Sequence, residues 1–179
     1  MRFKEITVEW FDKYQTFIAG LIGFSGVVIT IIYNSKLARD QLKRQRVSES
    51  VSIRVTLIEE LKLAMESYSG NIESLSDKNN SHQVAYLYAG VYDQAYKNLI
   101  SKFGLLSSAE IKATMLAYQL ISELPNRLRH IEHKDESIHK NEYIAIERHM
   151  FEYTAEVYDS MLTPIIKAIC ELEQGLKTS

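Results

Sequence analysis

The chain has 179 residues with two prolines and seven glycines, and its formal net charge is −2 at pH 7. So few helix-breaking residues favour long helices over a sheet with frequent turns. The single cysteine, Cys170, cannot form an internal disulfide, which excludes a disulfide-stapled secreted fold. We expect Cys170 to be a small core residue.

The charges are unevenly distributed along the chain. Residues 36–46 carry five basic residues and one acid, Asp40, whereas after Val47 acids exceed bases by 19 to 13. A nucleic-acid-binding domain would need the opposite balance, so we expect no general nucleic-acid binding.

After a short N-terminal flank (residues 1–13), residues 14–35 form a run of 22 without a charge. A helix rises about 1.5 Å per residue, so this run is long enough to cross a hydrocarbon core of roughly 30 Å. Trp10, Tyr14 and Tyr33 flank it at the levels that aromatic side chains prefer in a bilayer. A signal peptide has a shorter apolar region, and a buried core helix rarely stays uncharged for six turns. We therefore predict one transmembrane helix.

The basic residues after this run predict its orientation. Lys and Arg next to an anchor are retained in the cytoplasm, and five follow the run while three precede it. We expect a single-pass protein of a bacterial inner membrane, with its N-terminus outside and its C-terminal domain in the cytoplasm. The same residues can touch anionic headgroups of the lipid bilayer; they are Lys36, Arg39, Lys43, Arg44 and Arg46.

Small residues recur four apart within the apolar run. Ala19 and Gly23 form one such pair, and Gly26 and Thr30 form another. This spacing lets transmembrane helices approach closely, so self-association through this helix is a hypothesis.

The region from Trp10 to Arg46 resembles a loose group of uncharacterised bacterial single-pass membrane proteins. The resemblance rests on an aromatic-flanked anchor around Tyr14-Gln15-Thr16, followed by a basic stalk and a helical tail. It implies a membrane anchor and assigns no functional residue.

Beyond a stalk at residues 36–50, residues 51–179 predict an all-α domain, an antiparallel up-down bundle of about four helices. Apolar residues from Val51 to Leu75 recur every three or four positions, as on one face of a helix. A second helix is predicted over 84–103 after the polar turn 76–81, with Tyr88, Tyr92 and Tyr96 in an i, i+4 ladder.

The third predicted helix begins with Ser107-Ser-Ala-Glu110, which has capping-box spacing. Pro125 is expected to kink or break it. The last helix is predicted to start near Asn141, with a kink or a new N-terminus at Pro164.

Two patterns suggest chemistry. His130 and His133 share a helix face, and Glu136 with His139 has the Glu-x-x-His spacing of di-iron bundles. A second such pair is missing, so we predict no metal site and no cofactor.

Arg127 and His133 bracket five residues. This spacing resembles the Arg-x4–6-His motif of HEPN-domain ribonucleases, and the resemblance implies RNA cleavage by these two residues. The position after the arginine is Leu128 instead of the polar residue usual in that family.

The leading interpretation is a non-enzymatic, membrane-anchored scaffold that meets a protein partner or a second copy through its helices. The alternatives are the ribonuclease and an extracytoplasmic helical sensor with reversed topology.

Overall fold

The structure is a computed structural model that describes residues 2–77, 82–132 and 142–178, with side chains from Tyr14 onward. Helix α1 runs from Arg2 to Ser76. The chain divides into two units, Met1–Arg46 and Val47–Ser179. The second unit is called the helical domain below.

The first unit is helical throughout its described part. It contains a stretch long and apolar enough to cross a membrane, with a mean hydropathy of 2.1 and no buried residue in that window. Large apolar side chains are exposed along it, with 68% of Ile22 and 66% of Ile29 accessible. Ser25 and Thr30 donate their hydroxyl hydrogens to the carbonyl oxygens of Leu21 and Gly26, each at 2.8 Å. Their hydrogen bonds are therefore satisfied within the helix.

In its described residues, the helical domain contains the last part of α1, three further α-helices, two short 3-10 helices and a two-stranded sheet. In chain order these are β1 (Val84–Tyr88), α2 (Gln94–Leu99), a 3-10 helix (Ile100–Leu105), α3 (Ser108–Arg129), β2 (Tyr143–Glu147), a 3-10 helix (Arg148–Met150) and α4 (Phe151–Lys177).

The three long helices have the directions that the up-down prediction gives to its first, third and fourth helices. Arg54 and Glu60 of α1 contact Glu110 and Tyr118 of α3 respectively, so α1 and α3 run parallel. Helix α4 is antiparallel to both, because Tyr158 packs on Tyr68 while the later Glu173 approaches Lys62. The segment containing β1 and α2 returns the chain along the length of α1 before α3 begins.

The core lies between α1, α3 and α4. Each helix contributes side chains at intervals of three or four residues, as an amphipathic helix must when it buries one stripe. The fully buried members include Leu57, Leu61, Ile121, Leu128, Tyr158, Met161, Ile165 and Leu172.

The two-stranded sheet was not predicted. Strands β1 and β2 pair antiparallel, with Val84 opposite Glu147 and Tyr88 opposite Tyr143. The predicted helices over 84–103 and from Asn141 are therefore wrong in their first parts, since α2 begins at Gln94 and α4 at Phe151. The two strands lie more than 50 residues apart, and their pairing depends on a tertiary contact that local periodicity does not record.

Three other expectations need correction in whole or in part. Pro125 and Pro164 both lie inside continuous helices, so neither a break at Pro125 nor a new N-terminus at Pro164 occurs, whereas a kink at either proline stays a prediction. The helices persist because buried residues flank each proline, Leu124 and Leu128 in one case and Met161 and Ile165 in the other. The tyrosine ladder does not exist as one helical row, since Tyr88 lies in β1 and Tyr96 in α2. Cys170 is exposed, because the buried face of α4 there consists of Ala168, Ile169 and Leu172.

Candidate functional site

A buried ion pair joins α1 to the start of α3. Arg54 Nε lies 2.5 Å from Glu110 Oε1, and Arg54 Nη2 donates to Glu110 Oε2 at 3.3 Å. The side chains are only 8% and 3% exposed. Arg54 Nη1 also donates to Ser50 Oγ at 3.0 Å, one turn earlier on α1. This fork-shaped contact fixes the distance and the angle between α1 and α3.

Glu110 has a second role in the cap of α3. The Ser107 backbone N–H donates to Glu110 Oε2 at 2.6 Å, and the Glu110 backbone N–H donates to Ser107 Oγ at 3.3 Å. The predicted capping box is thus confirmed. The box orients the Glu110 side chain, so that the local cap places the carboxylate toward Arg54.

Burial raises the pKa of the Glu110 carboxyl, but hydrogen bonds from Arg54 and Ser107 outweigh burial. The net result is a pKa below the ordinary value, which keeps Glu110 charged at neutral pH.

Gly175 of α4 closes over this pair. A Cβ placed on Gly175 would overlap Glu110 Oε1 and lie 2.5 Å from Arg54 Nε. The absence of a side chain therefore lets α4 approach the ion pair closely. No room remains beside Arg54 Nε and Glu110 Oε1 for a substrate, so the pair is an element of the fold.

Replacing Gly175 with alanine should destabilise the helical domain by about 1–3 kcal/mol, the usual cost of overpacking a tight site. Urea denaturation of the full chain in a mild detergent, followed by circular dichroism, measures this loss. Gly70→Ala is the matched control, because a Cβ there meets nothing within 4 Å. It should be neutral or stabilising by up to about 1 kcal/mol, as alanine favours helices. Equal effects of the two substitutions would contradict the close approach at Gly175.

A second network surrounds the half-buried Glu60 carboxylate. Its Oε1 accepts from the Ala95 backbone N–H at 2.7 Å, and its Oε2 accepts from the Tyr96 N–H at 3.1 Å and from the Tyr118 hydroxyl at 2.7 Å. The Asp93 side chain, at the N-cap position of α2, forms no capping hydrogen bond. Glu60 therefore caps α2 from another helix, where its negative charge also favours the helix N-terminus.

Tyrosines surround this network and extend toward the sheet. Tyr96 stacks on Tyr118 with ring centroids 4.3 Å apart, and Tyr68 contacts Tyr158 at 5.2 Å. Burial and the hydrogen bond to Glu60 raise the pKa of Tyr118 far above its ordinary value, and burial raises the pKa of Tyr158 to about 12. Both phenols stay protonated at neutral pH, so Tyr118 remains a hydrogen-bond donor to Glu60.

Of the predicted ribonuclease motif, the structure describes Arg127 alone. Arg127 is on the exposed surface of α3 and pairs with Glu123 at 3.1 Å, four residues earlier. His133 lies outside the described residues, as do Glu136 and His139 of the di-iron pattern. Among the residues that the structure describes, no group of three or more His, Cys, Asp or Glu side chains could hold a metal ion.

The residues assigned to the membrane interface lie on the first unit. Tyr14 and Tyr33 are exposed, and the side chain of Trp10 lies outside the described part. The basic residues are exposed on α1; they are Lys36, Arg39, Lys43, Arg44 and Arg46. At 100° per residue, Ala19, Gly23, Gly26 and Thr30 fall within about one sixth of the helix circumference. A Cβ on Gly23 or Gly26 would meet nothing within 4 Å.

Sequence reasoning identified Ser107 and Glu110 as a helix cap but missed Arg54 and Glu60, the two residues that join α1 to the other helices. Arg54 and Glu60 are charged residues on or beside the apolar stripe of α1, and such interruptions indicate a paired or hydrogen-bonded charge. Their partners Glu110 and Tyr118 come more than 50 residues later. No local pattern could have identified these pairs.

No protein-family model, curated protein or solved structure matches this chain.

Proposed function

We propose that this protein is a non-enzymatic, membrane-anchored interaction module whose helical domain faces the bacterial cytoplasm. The observation that carries the proposal is the apolar stretch of α1, whose large side chains have no protein core around them. Burying such side chains in lipid contributes about 25 cal/mol per Å² of apolar surface. A helix satisfies its own backbone hydrogen bonds in that environment.

The orientation rests on the basic residues that follow the apolar stretch. Five exposed Lys and Arg side chains lie within 11 residues of α1, and positive residues near an anchor favour the cytoplasmic side. The helical domain is acidic, so repulsion by an anionic inner leaflet opposes its adsorption to the membrane surface.

The role as a binding module is supported by how the buried carboxylates are used. Glu110 forms an ion pair with Arg54 and caps α3, and Glu60 caps α2 and accepts a hydrogen bond from Tyr118. Both hold helices in place. A surface formed by helices that are held in this way can bind a partner with a smaller cost of ordering.

Replacing Ile22 and Ile29 together with arginine should release the protein from the membrane fraction. Each arginine near the middle of a spanning helix costs about 2.5–3.5 kcal/mol of insertion free energy. The measurement is the share of the chain that resists carbonate extraction from bacterial membranes. The control replaces Leu37 and Leu42, exposed residues of the basic segment, with arginine and should stay in the membrane. A wild-type chain found in the soluble fraction would overturn the proposal.

Fusions at Ser179 test the orientation separately. A reporter active only in the cytoplasm should give signal, and a reporter active only outside should give none. The reverse result would overturn the cytoplasmic placement and favour an extracytoplasmic sensor.

A further inference from the structure

A cavity of about 670 Å³ lies between the C-terminal end of α1 and the first turns of α4. Its volume is within the range of about 300–1,000 Å³ that is usual for binding sites. The apolar lining residues are buried or half-buried and form the floor, whereas the charged lining residues are exposed and form the rim. The floor consists of Ile72, Leu75, Phe151 and Ala155. Apolar side chains of a ligand could therefore be buried while its polar groups stay at the rim.

The rim is strongly acidic. Glu152, Glu156 and Asp159 follow one face of α4 at intervals of four and three residues, and Asp77 lies opposite at the end of α1. Among the described residues of the lining, Arg148 is the one basic residue. Among the described residues, Glu152, Glu156 and Asp159 form no ion pair with a basic side chain.

The end of α1 adds to the negative electrostatic potential of the cavity. The last turn of α1 contains no basic residue, so within that turn no positive side chain offsets the negative end of the helix dipole. The positive end of α4 offsets only Glu152, which lies in the first turn of that helix. Glu156 and Asp159 lie beyond that turn, where the effect of the dipole has faded.

We propose that this cavity binds a basic amphipathic helix of a partner protein. Apolar side chains of the partner pack on Leu75, Phe151 and Ala155, and its Lys or Arg side chains lie beside Glu156 and Asp159. The combination of apolar floor and acidic rim is complementary to such a helix, whose anchors recur every three or four residues. This inference rests on the proposed function, because it names the chemistry of the partner that the module binds.

A direct test uses the full chain in nanodiscs of zwitterionic lipid. The probe is a fluorescent synthetic helix with leucine on one face and lysine on the other, and binding to empty nanodiscs is subtracted. Saturable binding is expected, and a probe with glutamate in place of lysine should not bind. Absence of saturable binding by the lysine probe would overturn the inference.

Charge variants locate the binding site. The double variant Glu156→Gln with Asp159→Asn should weaken binding by at least about fivefold, because two exposed attractive charges are removed. The control, Glu66→Gln with Glu171→Gln, removes the same charge from positions outside the cavity lining and should change affinity by less than about twofold. Equal weakening in the two variants would mean general attraction to an acidic domain and would overturn the proposal.

The sign of the effect at Arg148 gives an independent check. Arg148→Gln removes the positive charge of the lining, so it should tighten binding of the lysine probe, and weaker binding would contradict the proposed site.

Membrane fractionation and probe binding also test the proposed function and this inference separately. A chain that stays in membranes but does not bind the probe refutes only the partner chemistry, whereas a soluble chain that binds it refutes only the anchor.

Discussion

Replacing Arg54 with methionine is expected to destabilise the helical domain by about 3–5 kcal/mol at neutral pH. Methionine fills similar space, but it leaves the Glu110 carboxylate buried without its cation. Charge inside a protein is costly when it is not paired. Urea denaturation of the full chain in a mild detergent measures the loss as a shift of the unfolding midpoint at constant slope.

Replacing both residues of the ion pair identifies the cause of this loss of stability. Arg54→Met combined with Glu110→Met should be more stable than Arg54→Met alone, because no unpaired charge remains. The double variant still lacks the capping box, which costs about 1 kcal/mol. A double variant as unstable as the sum of the two single variants would show that the residues act independently and that the ion pair has no coupling energy.

The same pair predicts a dependence on pH. The pKa of Glu110 is lowered in the folded state, so ionised Glu110 contributes to the stability of the fold above the ordinary glutamate pKa of 4.5. This stability is lost as the pH falls through the lowered pKa, where Glu110 becomes protonated. The difference between wild type and Arg54→Met should therefore shrink on acidification below that ordinary value, and a constant difference would contradict the assignment.

Replacing Glu60 with leucine should cost about 2–4 kcal/mol, the second largest expected effect. The substitution removes the acceptor for three donors, the N–H groups of Ala95 and Tyr96 and the hydroxyl of Tyr118. The Tyr118 side chain is only 1% exposed, so water does not replace the lost partner, and an unsatisfied buried group costs about 1–3 kcal/mol. Thermal unfolding followed by circular dichroism measures the change.

Glu66→Leu on the same helix is the matched control. Glu66 is exposed, and its replacement should alter stability by less than about 0.5 kcal/mol. Tyr118→Phe should fall between the two variants, because it removes one of the three hydrogen bonds. Should Glu66→Leu cost as much as Glu60→Leu, the cap of α2 by Glu60 would not be the source of stability.

Whether a contact in the candidate sites could be predicted depends on how far apart its residues are in the chain. The Ser107–Glu110 capping box was predictable, since a cap is formed by residues three apart. The role of Glu110 beside Arg54 was not predictable, since 56 residues separate the two. The acidic cavity likewise combines the end of α1 with the start of α4, and the predicted boundaries in that region were displaced by β2.

The sequence by itself determined the features that depend on neighbouring residues. These are the long apolar stretch of α1, the continuation of α1 beyond it, the predominance of helix and the cap of α3. Each follows from periodicity or from contacts within one or two turns. The tertiary structure alone decided the pairing of β1 with β2 and the enclosure of Arg54 by Glu110 and Gly175. These features depend on which distant segments meet, and that choice is made by burial of the whole core.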